Sequence, residues 1–356
     1  MIKRGKMYKV IFKVLIISAI ITPMAGCSNL KNIEESSILL EDVKEDANKN
    51  EFKIASKEVY KITENKIVDY IKYGLSFFYS VKDDGIYVEF NNGDNKLIIK
   101  KIVLENGEAK VDKNKPIIKP IYTLDSTEIY NRVDDYVIKE KISNDHIKDG
   151  AIEVNNITVY TEKIKNGSNH NGKESVLKEE VSIDIPSDIN YFNTIGIENN
   201  KLVYASGELG GQFANEIGVI DLETKRVEKP IKVDAYSQAV VIDENTVLMN
   251  TIILNGNELN IFNFKNKSKN TIVKDKNIWY LGISKNKEKI YYVEESDSKR
   301  TAYVASISGE NKGEVCKIYE TSNEDRFDID ISADGKEVYI FLYEKEPSII
   351  KYKLNK

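Results

Sequence analysis

"ISADGKEVYI", residues 331–340, reads as two apolar stretches joined by a polar turn. Ile331 precedes Ser332-Ala333-Asp334-Gly335, and Val338, Tyr339 and Ile340 follow. An Asp side chain shapes a tight turn and Gly supplies a positive φ, so the stretch predicts a β-hairpin. Looser versions recur upstream: "IENNKLVY" from Ile197, "IDENTVLM" from Ile242 and "ISKNKEKIYY" from Ile283, at spacings of 45, 41 and 48 residues. A period in that range, with alternating β-branched and aromatic residues throughout, is the mark of a repeated β unit.

Each repeat holds material for four strands. From Ile278 the chain runs "IWYLGIS", "KIYYVEES", "TAYVASIS" and "GEVCKIYE", separated by polar turns, and the preceding unit reads "SQAVVID", "TVLMNTIIL", "ELNIFNF" and "NTIVKD". Such a sheet cannot bury both faces alone, so the units must stack into a ring. The last unit supplies only "FDIDIS", "EVYIFLYE" and "SIIKYKL". Its missing outer strand is expected to be "KEVYKIT", Lys57–Thr63, which closes the ring and removes two exposed edges. Residues 51–356 are therefore expected to form a single all-β domain, a β-propeller. "LSFFYSVKDDGIYVEF" and "KLIIKKIVLENGEAKVDK" make the first unit. Residues 121–190 hold one blade with long loops, giving six blades, or two cramped ones, giving seven as the alternative.

Residues 1–26 read as an export signal. Lys3, Arg4, Lys6, Lys9 and Lys13 precede a mainly apolar run of 12 residues from Val14 to Ala25. About 20 residues would be needed for a permanent span, so the segment is expected to be removed. It ends in Met24-Ala25-Gly26-Cys27, which resembles the bacterial lipoprotein box. The resemblance implies cleavage before Cys27 and attachment of lipid, palmitate included, to its sulfur. Residues 27–50 are then a lipidated Cys followed by a polar tether, long enough to span roughly 25 Å as a random coil. The expected location is the extracytoplasmic face of the cell membrane.

Losing five positive charges takes the formal net charge from −5 to −10. An acidic exported chain with only five Arg among 52 basic residues is a poor binder of nucleic acid. Cys316 is the one thiol left, so no internal disulfide forms, and in "GEVCKIYE" it reads as a small apolar core residue.

The Ile331 stretch, Ile-Ser-Ala-Asp-Gly-Lys-Glu-Val-Tyr, resembles the Ser-x-Asp-Gly turn of TolB-like, WD-repeat-like propellers, and Ile283-Ser284-Lys285-Asn286 matches it in part. The resemblance covers the C-terminal 160 residues best. It implies a scaffold for protein contacts in the cell envelope.

Chemistry is thinly supplied. The two histidines, His146 and His170, lie in polar loops, away from any nucleophile turn, and are too few for a zinc site. Asp328 and Asp330 share one side of a strand, with Phe327, Ile329 and Ile331 on the other, and are expected to face the central channel. Hard oxygen ligands there suit Ca²⁺, although D-x-D-x-S-x-D-G is not an EF-hand spacing; otherwise no cofactor is expected. "ASGELGGQFANEIGV", residues 205–219, is the least repeat-like loop of the regular half. Glu208, Gln212, Phe213, Asn215 and Glu216, with Tyr236 and Gln238 from the next blade, form the expected partner-binding set. Most of the 21 Tyr, and Trp279, are expected to pack between blades. The reading favours a monomeric, non-catalytic binder of an envelope protein or peptide. A binder of cell-wall carbohydrate or a small solute is the alternative, and a hydrolase using channel carboxylates stands behind both.

Overall fold

Ser332 and Asp334 build the hairpin turn of the opening motif from their own side chains. The Ser332 hydroxyl accepts from the N–H groups of Lys336 and Glu337 at 3.1 and 2.9 Å and donates to Asp334 Oδ1 at 2.7 Å. Asp334 Oδ1 also accepts from the Lys336 N–H at 3.1 Å, and Gly335 sits at φ +68°. One repeat earlier Ser284 does the same for the Lys289 N–H at 3.0 Å. Asn286 of that turn reaches across to donate to the Asp334 carbonyl at 3.0 Å. Serine plus an acid or amide two residues on is thus both the turn former and the link between neighbouring turns.

The computed structural model describes residues 53–63, 77–91, 96–113, 116–120, 128–133, 136–142, 154–166, 173–189, 192–207, 213–253, 256–308, 312–323, 325–343 and 346–355. Cys27, His146, His170, Glu208 and Gln212 lie outside them. Among the described residues there are strands and turns and no helix.

The strands group into six antiparallel units among the described residues. The closing strand β1 (Ile54–Ile62) belongs to the last of them. Unit one is β2 (Phe77–Lys82), β3 (Gly85–Asn91) and β4 (Lys96–Glu105), with β5 (Glu108–Val111) and β6 (Ile117–Pro120) sharing the far edge of β4. Unit two is β7 (Glu128–Val133), β8 (Tyr136–Ile142), β9 (Val154–Asn166) and β10 (Lys173–Asp184). Unit three is β11 (Asn193–Glu198), β12 (Lys201–Ser206) and β13 (Ala214–Asp221), edged by the short β14 (Arg226–Val227) and by the start of β15 (Ile231–Asp243). The rest of β15 opens unit four with β16 (Thr246–Ile253), β17 (Gly256–Asn263) and β18 (Ser268–Lys276). Unit five is β19 (Ile278–Ile283), β20 (Lys289–Glu295), β21 (Lys299–Ser306) and β22 (Val315–Ser322). Unit six is β23 (Phe327–Ile331), β24 (Glu337–Leu342), β25 (Ser348–Leu354) and β1.

The closing strand is the one the sequence predicts. β1 runs antiparallel to β25, with Val59 opposite Ile350 and Tyr60 opposite Ile349. It also pairs in parallel with β5 through Lys61 and Ile62, so the N-terminal segment joins unit six to unit one by main-chain bonds on both sides. A second economy was not apparent from the repeat pattern: 13-residue β15 serves as outer strand of unit three and inner strand of unit four, with Tyr236 paired to both Ala214 and Thr251.

Packing closes the circuit. Five apolar clusters lie between units two and three, three and four, four and five, five and six, and six and one. Units one and two meet differently. β6 pairs in parallel with β10 through Ile117 and Ile118, and a buried Lys119–Glu162 ion pair sits at the seam. Each unit thereby hides its apolar faces against its neighbours, and the chain is an all-β propeller. Tyr291, Tyr292 and Tyr339 are buried between units, as expected, and partly buried Cys316 packs against the cluster of units five and six.

Candidate functional site

The inner strands of units three, four and five share a fault near their starts. Thr194 opposes Tyr204 and Gly196 opposes Val203, leaving Ile195 unpaired. In the same way Ser237 is unpaired between Tyr236 and Gln238, and Trp279 between Ile278 and Tyr280. Each is a β-bulge, which inserts one residue and re-aims the side chains around it. In β19 the result is that Trp279 and Tyr280, neighbours in sequence, are both turned outward, 49% and 43% exposed, while Ile278 and Leu281 are buried. Trp279 is therefore not the core residue that alternation suggests.

Trp279 is held from beneath. The Arg300 guanidinium lies 4.4 Å from its ring centroid, a cation–π contact. Arg300 is fixed in turn by Glu295, whose Oε1 accepts from Nη2 at 2.7 Å and from Nε at 2.8 Å. From unit four, Gln238 Nε2 donates to the Trp279 carbonyl at 3.0 Å, and Asn250 Nδ2 donates to the Ile278 carbonyl at 2.9 Å.

β23 keeps strict alternation. Phe327, Ile329 and Ile331 are buried, and Asp328 and Asp330 take the other side, the arrangement the sequence predicts. The two carboxylates nevertheless do different things. Asp330 binds the ring together: its Oδ2 accepts from the Val81 N–H of unit one at 2.8 Å. Its Oδ1 accepts from its neighbour Ile331 N–H at 2.8 Å and from the Tyr291 hydroxyl of unit five at 3.4 Å. Tyr291 reaches that far by lying over Gly282, where a Cβ would stand 2.2 Å from the ring. Burial pushes the Asp330 carboxyl up to about 6, with those three hydrogen bonds opposing the shift. Asp328 lies exposed, accepting from the Tyr343 hydroxyl at Oδ2. Its pKa is also raised, chiefly by partial desolvation, while the Tyr343 bond pulls it back. Tyr79, stacked on Phe341 at 4.4 Å, backs Tyr343 with its ring 6.1 Å away.

Between β19 and β23 lies a cavity of about 220 Å³, walled by Gln238, Trp279, Tyr280, Val293, Phe327, Asp328 and Ile329. It offers three aromatic side chains, two aliphatic ones and a carboxylate. Among the described residues no three His, Cys, Asp or Glu side chains are placed to hold a metal ion. The cavity is furnished for binding rather than for bond breaking, because Asp330 already has hydrogen bonds at both oxygens.

The expected partner-binding set is divided by the structure. Gln238 lines the cavity with Asp328, and Phe213 is 44% exposed beside the loop. Asn215 is partly buried, and Glu216 accepts from the Ser206 hydroxyl at 3.2 Å. Tyr236 is a correction: only 4% exposed, it packs in the cluster between units three and four and donates to the Glu216 carbonyl at 3.1 Å. An inner-strand position that also pairs with the preceding unit has no open face left for a partner. Trp279, Tyr280 and Arg300 were missed. The recurrence of the bulge at 195, 237 and 279 was the available signal, since it sits at a constant offset in three repeats.

The sequence matches no protein-family model and no curated protein. Among solved structures, the fold is similar to the WD40 domain of Toxoplasma gondii coronin, at 8% identity and a TM-score of 0.40, over 85% of this chain and 87% of that one.

Proposed function

We propose that the protein is a lipid-anchored, six-bladed propeller on the extracytoplasmic face of the cell membrane that binds a protein or peptide at its channel mouth and catalyses nothing. The observation that carries the binding reading is the outward Trp279–Tyr280 pair, propped by Arg300 and Glu295 at the rim of a cavity. Exposing two large aromatics costs burial that a purely structural strand would keep. Aromatic residues and Arg in a rigid setting are also the residues on which protein interfaces concentrate their energy. Support for the anchor is the basic start, the apolar run and Met24-Ala25-Gly26-Cys27. Support for six blades is that six units already complete a circuit, each touching the next and the last touching the first.

Affinity capture from a membrane fraction tests this, with the wild-type chain and a Trp279→Ala/Tyr280→Ala variant side by side and a glycan array in parallel. The expected result is an envelope protein retained by the wild type and at least about tenfold depleted with the variant, two hot-spot losses of about 1–2 kcal/mol each being enough. Retention of a cell-wall glycan with no protein dependent on Trp279 would overturn it.

A further inference from the structure

The cavity between β19 and β23 is smaller than the roughly 300–1,000 Å³ that a whole small-molecule ligand usually fills. At about 220 Å³ it has room for one side chain. Its charge balance is one-sided. Asp328 takes a hydrogen bond from Tyr343, and no Lys or Arg among the described residues pairs with it. Asp330, two residues along the same strand face, adds to the negative field rather than offsetting it. The nearest candidate cation, Arg300, lies under Trp279 and is already bound to Glu295 through two nitrogens. The Gln238 amide is likewise committed to the Trp279 carbonyl.

An apolar guest would leave the Asp328 carboxylate desolvated without a partner, and an anionic guest would be repelled. A sugar needs several paired donors and acceptors, and the wall offers chiefly hydrocarbon. A cation on an alkyl stem meets every requirement: its charge pairs with the carboxylate, its head lies near aromatic faces, and its methylenes cover apolar wall. We infer that this cavity receives a single cationic side chain, lysine or arginine, of the bound peptide, with Asp328 as its counter-charge and Tyr280, Trp279 and Phe327 as its aromatic walls. The inference rests on the peptide-binding reading and narrows it to a chemistry.

Trp279 is the only Trp in the chain, so its fluorescence reports on this cavity directly. The mature chain in detergent is titrated with four capped tripeptides, Ala-X-Ala, with X lysine, arginine, norleucine or Nε-acetyl-lysine. Saturable changes are expected for lysine and arginine, at least tenfold weaker ones for the two uncharged probes, and loss of that preference in Asp328→Asn. Equal binding of norleucine, unchanged lysine binding by Asp328→Asn, or no response to any probe overturns the inference. If the captured envelope protein is lost with Trp279→Ala but retained at full strength by Asp328→Asn, peptide binding at the mouth stands and the cationic side chain alone is rejected.

Discussion

Units three, four and five carry a bulge in the inner strand, whereas units six, one and two pair straight from end to end. The two arcs also satisfy their polar groups near the axis with different chemistry. In the straight arc carboxylates do it: Asp330 holds the Val81 N–H of the next unit. Glu140, 2% exposed, accepts from Asn131 Nδ2 at 2.7 Å and from the Thr194 hydroxyl of unit three at 3.3 Å. In the bulged arc amides do it, with Asn250 and Gln238 donating to the carbonyls of Ile278 and Trp279. A bulge leaves carbonyls without ladder partners, and an amide can donate to them where a carboxylate cannot. Straight pairing leaves N–H groups at the strand starts, which carboxylates accept. The bulge thus frees aromatic surface for binding, and the straight arc keeps titratable groups buried at its joints.

The sharpest contrast is between Phe327 and Trp279, aromatic residues near the starts of neighbouring inner strands. Phe327→Ala empties a buried site and is expected to cost ~3–5 kcal/mol in denaturant unfolding. Trp279→Ala is expected to cost under about 1 kcal/mol, because half of the side chain is already in water. Comparable losses for the two would mean that the bulge does not turn Trp279 outward.

pH separates the arcs next. Burial pushes Glu140 up from 4.5 to about 7, with the Asn131 and Thr194 hydrogen bonds opposing. The fold therefore favours the neutral acid. Stability is fully present below pH 4.5 and declines as pH rises to about 7, by on the order of 3 kcal/mol. Asp330, raised from 3.8 to about 6, acts in the same direction over a lower window. Glu140→Gln is expected to remove the decline above pH 6 and to leave the part due to Asp330. A variant whose stability falls across pH 6–8 as steeply as the wild type's would refute the assignment.

The smallest effect belongs to the amide side. Asn250→Ala takes a donor from the Ile278 carbonyl and is expected to cost about 1–2 kcal/mol. The loss should be equal at pH 5 and pH 8, since no titrating group is involved. A pH-dependent loss would join Asn250 to the carboxylate network and blur the distinction between the arcs.

Much of this could be read along the chain. The Ser332 and Ser284 turns are local structures, written in residues that bond their own neighbours, so their recurrence exposed the repeat. Asp328 and Asp330 were placed correctly because β23 has no irregularity to upset a period of two. The closing role of β1 followed from counting: a last unit one strand short and an unclaimed strand at the front. Trp279 and Tyr236 were misplaced for complementary reasons. At Trp279 an inserted residue shifts the alternation, and at Tyr236 a strand shared by two units buries a side chain that one unit would have left open.

Alternation, turn chemistry and the repeat length are short-range properties, settled by residues within a few positions of one another, and they were enough to specify an all-β ring and its closing strand. Where the bulges fall, which carboxylate is consumed by a neighbouring unit's backbone, and which aromatic stays in water depend on contacts between residues up to 249 positions apart, as between Asp330 and Val81. Those choices exist only once the units are packed against each other, because only then does a strand have two neighbours competing for the same edge.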